Sequence, residues 1–244
     1  MLPYLSLGPL LLQTPGFILL LSGWISLTLI EKEAQRLKLN QALVYNLVFW
    51  GLVAGIIGAR LAYAARYLNI YLDDPLSLVA LNFNTLSPQG GLIIGLLAAA
   101  IYGWRVQLPL RTTLDALAPG LAAFMIAWGI AHLLSGAAFG SPTDLPWAIY
   151  LWEANRHPTQ IYEIVLAIAV FLVVRKRPLD RPGTGLNFLL TVALLSSSRL
   201  FLEAFRGDSL LWVDGIRTAQ VVSLGILLIC LWLIKASILP PHKK

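Results

Sequence analysis

Charge is scarce in this chain: Asp, Glu, Lys and Arg together make up 12% of 244 residues, about half the share usual in a soluble domain. With 58% hydrophobic residues and a mean hydropathy of +0.75, that shortage excludes an ordinary soluble globular protein. Cysteine is nearly absent. The lone Cys230 excludes an intramolecular disulfide and a thiolate-rich metal site, and reads as a small apolar packing residue. There is no His/Cys/Glu spacing for a metal, no nucleophile elbow, no soluble-type phosphate loop and no charge pattern for nucleic acid. No Lys or Arg precedes Lys32, so the basic region of a secretory signal peptide is missing and the first apolar segment is expected to persist as a span.

What the chain has in abundance is long apolar runs. A crossing needs about 20 apolar residues, and such stretches fall at about 10–30, 42–64, 88–104, 112–134, 158–174, 184–205 and 218–235. The expected fold is therefore all-α: one integral membrane domain over 1–244 with seven transmembrane helices and outer-face interfacial loops. The net charge of +6 fits orientation in the membrane better than a nucleic-acid partner. One set of loops and ends holds twelve basic residues (Lys32, Arg36, Lys38, Arg105, Arg111, Arg175, Lys176, Arg177, Arg181, Lys235, Lys243, Lys244), whereas the other holds four (Arg66, Arg156, Arg206, Arg217). Basic loops stay cytoplasmic, so the N-terminus is expected outside and the C-terminus inside. Two outer segments, 65–87 and 135–157, exceed what a connection needs and carry Tyr67, Tyr71, Trp147, Tyr150 and Trp152. They read either as an interfacial aromatic belt or as a cap over a site. The run RKRPLDRPGTG at 175–185 is the only clear linker-like segment, and no internal repeat or second domain is visible.

Ionisable residues inside spans are costly and point to function by default. Counting 1.5 Å per residue from the inner entry, Arg60 lies about 27 Å along the second helix and Arg199 about 21 Å along the sixth. Glu203 and Arg206 lie further out on the same helix face as Arg199. His132 ends the fourth helix, QGGLIIG (Gln89, Gly90, Gly91) opens the third and RHPTQIYE (His157, Gln160, Tyr162, Glu163) opens the fifth. Five helices thus aim polar groups at one leaflet, which argues for an outer-leaflet site rather than a midplane transport path. Bland alternatives stay open: Arg60 snorkelling to headgroups, His132 as a satisfied helix-end histidine, Glu163 paired to an arginine merely to cancel charge, and the glycines as helix packing rather than an anion-binding amide cluster. Two guanidiniums flanking one carboxylate leave net positive charge and spare donors, suited to phosphate.

The strings GARLAY (58–63), QGGLI (89–93), RHPTQIYE (156–163) and RLFLEAFR (199–206), in this order on successive helices, resemble the prolipoprotein diacylglyceryl transferase family. The resemblance covers about residues 8–235, and RHPTQIYE is its most specific part. It implies transfer of diacylglyceryl from phosphatidylglycerol to the lipobox cysteine thiol of a secreted prolipoprotein at the outer leaflet of the bacterial plasma membrane, leaving a thioether and glycerol phosphate. It also implies no dissociable cofactor, the phospholipid being the donor, and a monomer is expected. Arg199, Glu203 and Arg206 fall on the family's R-x-x-x-E-F-F-R pattern, and Arg60 on the arginine of G-x-R-L/I-x-Y. The chain departs from the family where Gln89 replaces a histidine, near Pro15 where a tyrosine is expected, and across 128–137. There the family reads G-R-x-G-N-F-x-N-G-E and this chain WGIAHLLSGA, so that Gly129, His132, Ser135 and Ala137 stand for an arginine, two asparagines and a glutamate.

A thiol with a pKa near 8.5 is only a few per cent thiolate at neutral pH, so a base or positive field is needed. His132 is the candidate for either, with Arg199 and Glu203 as its catalytic partners and Arg60 or Arg206 standing in for the arginine replaced by Gly129. Binding of the phospholipid falls to Arg60, Gln89, Gly90, Gly91, His157, Gln160, Tyr162, Glu163 and Arg206. The rival reading is a non-catalytic or re-purposed relative that binds phospholipid headgroups or lipidated partners, and a third is an enzyme with another lipid or acceptor.

Overall fold

The computed structural model describes residues 4–7, 10–79, 85–176, 183–212 and 215–238. Each expected span meets a helix: α1 (Thr14–Arg36), α2 (Gln41–Arg66), α4 (Pro88–Arg105), α5 (Leu110–Ser135), α6 (Thr159–Lys176), α7 (Leu186–Glu203) and α8 (Thr218–Ile238), with a short α3 (Leu68–Asp73) after α2. Five of these, α1, α2, α5, α7 and α8, are long and apolar enough to cross a membrane. The other two long helices, α4 and α6, have 18 residues each, about 27 Å of rise, and carry polar first turns and basic last turns that shorten their apolar length.

Local chemistry sets the helix ends. Asn40 caps α2, its side chain accepting from Ala42 N at 3.0 Å and Leu43 N at 3.4 Å. Ser87 caps α4, with Pro88 next, where its missing N–H costs no helical bond. Gly136, at φ 73°, closes α5 in the left-handed conformation. The start of α7 is capped from outside: the fully buried Asp115 of α5 accepts from Gly185 N (2.8 Å), Asn187 N (3.0 Å) and Phe188 N (3.1 Å).

Packing is inverted relative to a soluble protein. Ala34, Ala116, Ala118, Ala122, Ala127 and Ala131 are buried, while Leu20, Trp24, Leu92, Leu228 and Trp232 face outward. Where lipid tails surround the bundle, Leu gains nothing by moving inward, and close approach of backbones decides what lies inside. The principal pairings are α1 with α5, α2 with α4, α5 with α6 and α7 with α8; the α2–α4 pair joins the others mainly through α1. The α2–α4 seam is built of glycines: a Cβ on Gly95 would lie 2.8 Å from Gly51 O, and one on Gly91 2.9 Å from Gly55 O.

Three features differ from expectation. Residues 10–13, expected to open the first span, form β2 (Leu10–Gln13), paired with β1 (Tyr4–Leu7). In compensation α1 continues through the charged EKEAQR stretch to Arg36, since loss of hydropathy marks the edge of lipid rather than the end of a helix. A second hairpin, β3 (Ile149–Leu151) with β4 (Ala154–Arg156), shapes the 135–157 segment. The 65–87 segment contains α3 and a 3-10 turn, Pro75–Val79. Most of the linker-like run at 175–185, and Arg177, Arg181, Lys243 and Lys244 of the basic set, lie outside the described residues.

Candidate functional site

The polar residues gather where α5 and α7 end and α6 begins. His132 lies in the last turn of α5 and Glu163 in the second turn of α6, and their Nδ1 and Oε2 atoms are 2.7 Å apart with both side chains largely buried. Glu163 is therefore paired with a histidine rather than with an arginine. Gly129, one turn earlier on α5, allows this contact: a Cβ there would lie 2.9 Å from Ile164 Cγ1 and 3.4 Å from Glu163 Cγ.

Glu203, at the end of α7, is 1% exposed and forms an ion pair with the Arg199 guanidinium, Nη2 to Oε2 at 3.1 Å, with Arg206 Nε at 4.0 Å from the same oxygen. Arg206 is held by a residue the sequence reading missed. Asp208 receives its Nε at 2.9 Å and Nη2 at 3.0 Å, a bidentate pair, and also accepts Ala138 N at 3.0 Å. Two arginines thus face two carboxylates, and the net positive charge expected from Arg199, Glu203 and Arg206 alone is cancelled. Arg199, its side chain 35% exposed, is the guanidinium with most room for an anion. Tyr162, next to Glu163, packs edge-on against Phe205 with ring centroids 6.3 Å apart, which brings the start of α6 up against the end of α7.

RHPTQIYE works largely as a strap holding the 136–158 segment. Arg156 donates to Leu151 O (2.9 Å), Gly140 O (3.3 Å) and Trp152 O (3.4 Å), and its guanidinium lies 5.0 Å over the Phe139 ring. Thr159 Oγ1 donates to Ala138 O, and the fully buried Gln160 donates to Ala137 O at 2.9 Å. The Tyr162 hydroxyl accepts the Trp147 indole N–H at 2.8 Å, and Trp152 donates to Gly136 O. These bonds turn aromatics that read as a generic belt into parts of the loop's frame. His157 packs edge-on against Phe205, ring centroids 5.2 Å apart, and its buried Nδ1 has no hydrogen-bond partner among the described residues. Ser141 N to Phe205 O (2.8 Å) and Gly207 N to Phe139 O (2.9 Å) weld the strap to the end of α7.

Arg60, Gln89, Gly90 and Gly91 belong to the α2–α4 pair instead. Arg60 donates to Leu78 O (2.9 Å), Thr85 O (3.2 Å), Thr85 Oγ1 and Ser77 O, and its guanidinium lies 5.7 Å from the Tyr71 ring centroid. It organises the segment after α3. The Gly90 amide donates to Ser87 Oγ and that of Gly91 to Ser87 O, so both are taken by the helix cap, and Gln89 is exposed. Of the sequence-nominated residues, His132, Glu163, Arg199, Glu203, Arg206 and His157 come together around one helix end. The signal for Asp208 was present as the turn Arg206-Gly207-Asp208, which folds a carboxylate back onto a guanidinium two residues away.

Apolar helices with a small-residue core, and a charge-compensated polar cluster at one end, define a multi-pass membrane protein with a helix-end site. Comparison with known proteins says which kind. A family model described as prolipoprotein diacylglyceryl transferase matches residues 3–236. The chain is 34% identical to the phosphatidylglycerol–prolipoprotein diacylglyceryl transferase of Gloeobacter violaceus (92% of this chain, 91% of that one). It is 32% identical to that of a Synechocystis species (92% and 87%) and 31% to that of Clostridioides difficile (85% and 84%). The chain belongs to the prolipoprotein diacylglyceryl transferase family and is a multi-pass bacterial membrane protein.

Proposed function

We propose that this protein transfers diacylglyceryl from phosphatidylglycerol to a lipobox cysteine of secreted prolipoproteins. The observation that carries the reading is the largely buried His132–Glu163 couple, 2.7 Å apart, with Glu163 on a helix whose start packs against the end of α7. Glu163 holds the Nδ1–H of His132, which leaves Nε2 as the basic nitrogen. Nε2 takes the thiol proton, and the thiolate attacks the glycerol carbon that bears the phosphate. The C–O bond breaks with its electron pair on the departing glycerol phosphate. Arg199 binds the phosphate oxygens, one positioned donor of this kind being worth about 2.7 to 4 kcal/mol of barrier. Glu203 keeps Arg199 in place, and Asp208 keeps Arg206 against the loop. No dissociable cofactor enters, because the phospholipid is the donor.

Seven crossings, with α4 and α6 included, follow from the seven apolar stretches and from helices of about 27 Å. The twelve-to-four basic asymmetry supports an outer N-terminus, a cytoplasmic C-terminus and a site facing the outer leaflet of the plasma membrane. The protein works as a monomer in this reading.

The test is purified protein with phosphatidylglycerol and a lipobox peptide, assayed for thioether-linked diacylglycerol. Product that disappears in His132→Gln is the expected result, and no product from the wild-type protein refutes the reading. A second reading, binding of phospholipid headgroups or lipidated partners without transfer, is favoured by one observation: Asp208 already occupies Arg206. Phosphatidylglycerol binding without thioether formation decides for it.

A further inference from the structure

At the opposite end of the bundle a pocket of about 300 Å³ opens between α1, α5, α6 and α7. It lies roughly 18 Å from the site along α7, the twelve-residue rise from Asn187 to Arg199. Lys32, Arg36, Arg175, Glu33 and Asn187 line it, over an apolar floor of Pro119 and Val174. Glu33 pairs with Arg36 at 3.4 Å, so among the described lining residues three cations face one carboxylate. Behind them the carboxylate of Asp115 is engaged by three α7 amides. Asn187 is 5% exposed, and its buried Oδ1 has no hydrogen-bond partner among the described residues. An orphaned acceptor beside surplus positive charge asks for a ligand that brings both an anion and a hydroxyl donor.

We propose that this pocket binds the headgroup of a second, non-reacting anionic phospholipid, whose phosphate lies among Lys32, Arg36 and Arg175 and whose headgroup hydroxyl donates to Asn187 Oδ1. A lipid fits better than free phosphate because Leu172 and Val173, within one turn of Arg175 on α6, are exposed and give acyl chains an apolar surface to lie on. Basic pockets between helices at a membrane face take anionic headgroups for this reason. The inference rests on the membrane reading and not on the transfer reaction.

The experiment counts tightly held lipid. Wild type and Lys32→Gln/Arg175→Gln are released from nanodiscs containing phosphatidylglycerol and phosphatidylcholine and weighed by native mass spectrometry, with unfolding temperature in phosphatidylcholine alone as the control for folding. All three cations are exposed, so the substitutions leave the packed helices untouched; Lys32→Gln alone provides a milder variant. The expected result is one fewer phosphatidylglycerol held by the double variant, at least about tenfold weaker binding at that site, an unchanged unfolding temperature in phosphatidylcholine, and an intermediate loss for Lys32→Gln. An equal lipid count in wild type and double variant overturns the proposal. Displacement of the wild-type lipid by inorganic phosphate overturns the lipid assignment in favour of a free-anion site. Failure of the transferase assay leaves this count unaffected, so the two readings fall separately.

Discussion

Replacing Glu163 by Gln keeps the shape of the His132 partner and removes only its charge. In the structure the two side chains meet at 2.7 Å, with 19% and 13% of their side-chain surface exposed, so solvent compensates poorly for what is lost. Glutamine can still accept from Nδ1–H, and the ring keeps its orientation. What it cannot do is stabilise the imidazolium that the proposed reaction forms when Nε2 takes the thiol proton. A hydrogen bond to a charged group contributes about 1.5 to 3 kcal/mol, against about 1 for a neutral one. The difference, about 0.5 to 2 kcal/mol of barrier, lowers turnover by about 2- to 30-fold. His132→Gln removes the base itself and costs about 10² to 10⁴. Because Glu163 acts through His132, the double variant should be no worse than His132→Gln alone. The assay is single-turnover formation of thioether-linked diacylglycerol, run beside thermal unfolding to separate chemistry from folding. Full turnover in Glu163→Gln, or losses that multiply in the double variant, would refute the assignment of His132 as a base steered by Glu163.

Three further outcomes test other parts of the molecule. Arg199→Lys keeps the charge but replaces the planar fork by a point charge; membrane level and unfolding temperature should stay normal while turnover falls at least about tenfold, and full turnover would exclude Arg199 as the phosphate ligand. Gly95→Val forces a side chain against Gly51 O, where even a Cβ would lie at 2.8 Å; thermal unfolding should report a loss of about 1 to 3 kcal/mol, and an unchanged protein would mean that α2 and α4 are not so closely packed. Single cysteines at Ser6 and His242 in a Cys230→Ala background should be labelled in intact cells by an impermeant thiol reagent at position 6 only, and the reverse pattern would invert the proposed topology.

The sequence reveals the helices because hydropathy reports directly on where lipid lies, and all seven long helices sit within a few residues of the apolar runs. It conceals the pairing of Leu10–Gln13 with Tyr4–Leu7 for the same reason: LLLQ is as apolar as a span, and only that pairing makes it a strand. The depth of Arg60 marks it as a polar anchor, yet its partners are mostly backbone carbonyls 17 to 25 residues ahead, which no residue type announces. Gly90 and Gly91 follow the packing alternative, because the Ser87 cap uses their amides. The His132–Glu163 contact joins residues 31 apart on two helices, and spacing within one helix cannot supply that. Asp115 is the plainest omission. An acid in TTLDALAPG looks like an inner-edge charge, and its role emerges only when α7 arrives to use it.

That role has a mechanical consequence. α7 is gripped at its first turn by Asp115 and just past its end by the bonds that join Phe205 and Gly207 to Ser141 and Phe139, and both grips lead back to α5 or to the segment that follows it. A slip of one residue would shift Arg199 by about 1.5 Å along the axis and turn it by about 100° around it, breaking both grips at once. The helix is thus a strut fixed in length, rotation and depth. If the proposed reaction takes place beside Arg199, the movement that admits the lipid falls outside this strut, and the α2–α4 pair is joined to the rest mainly through α1.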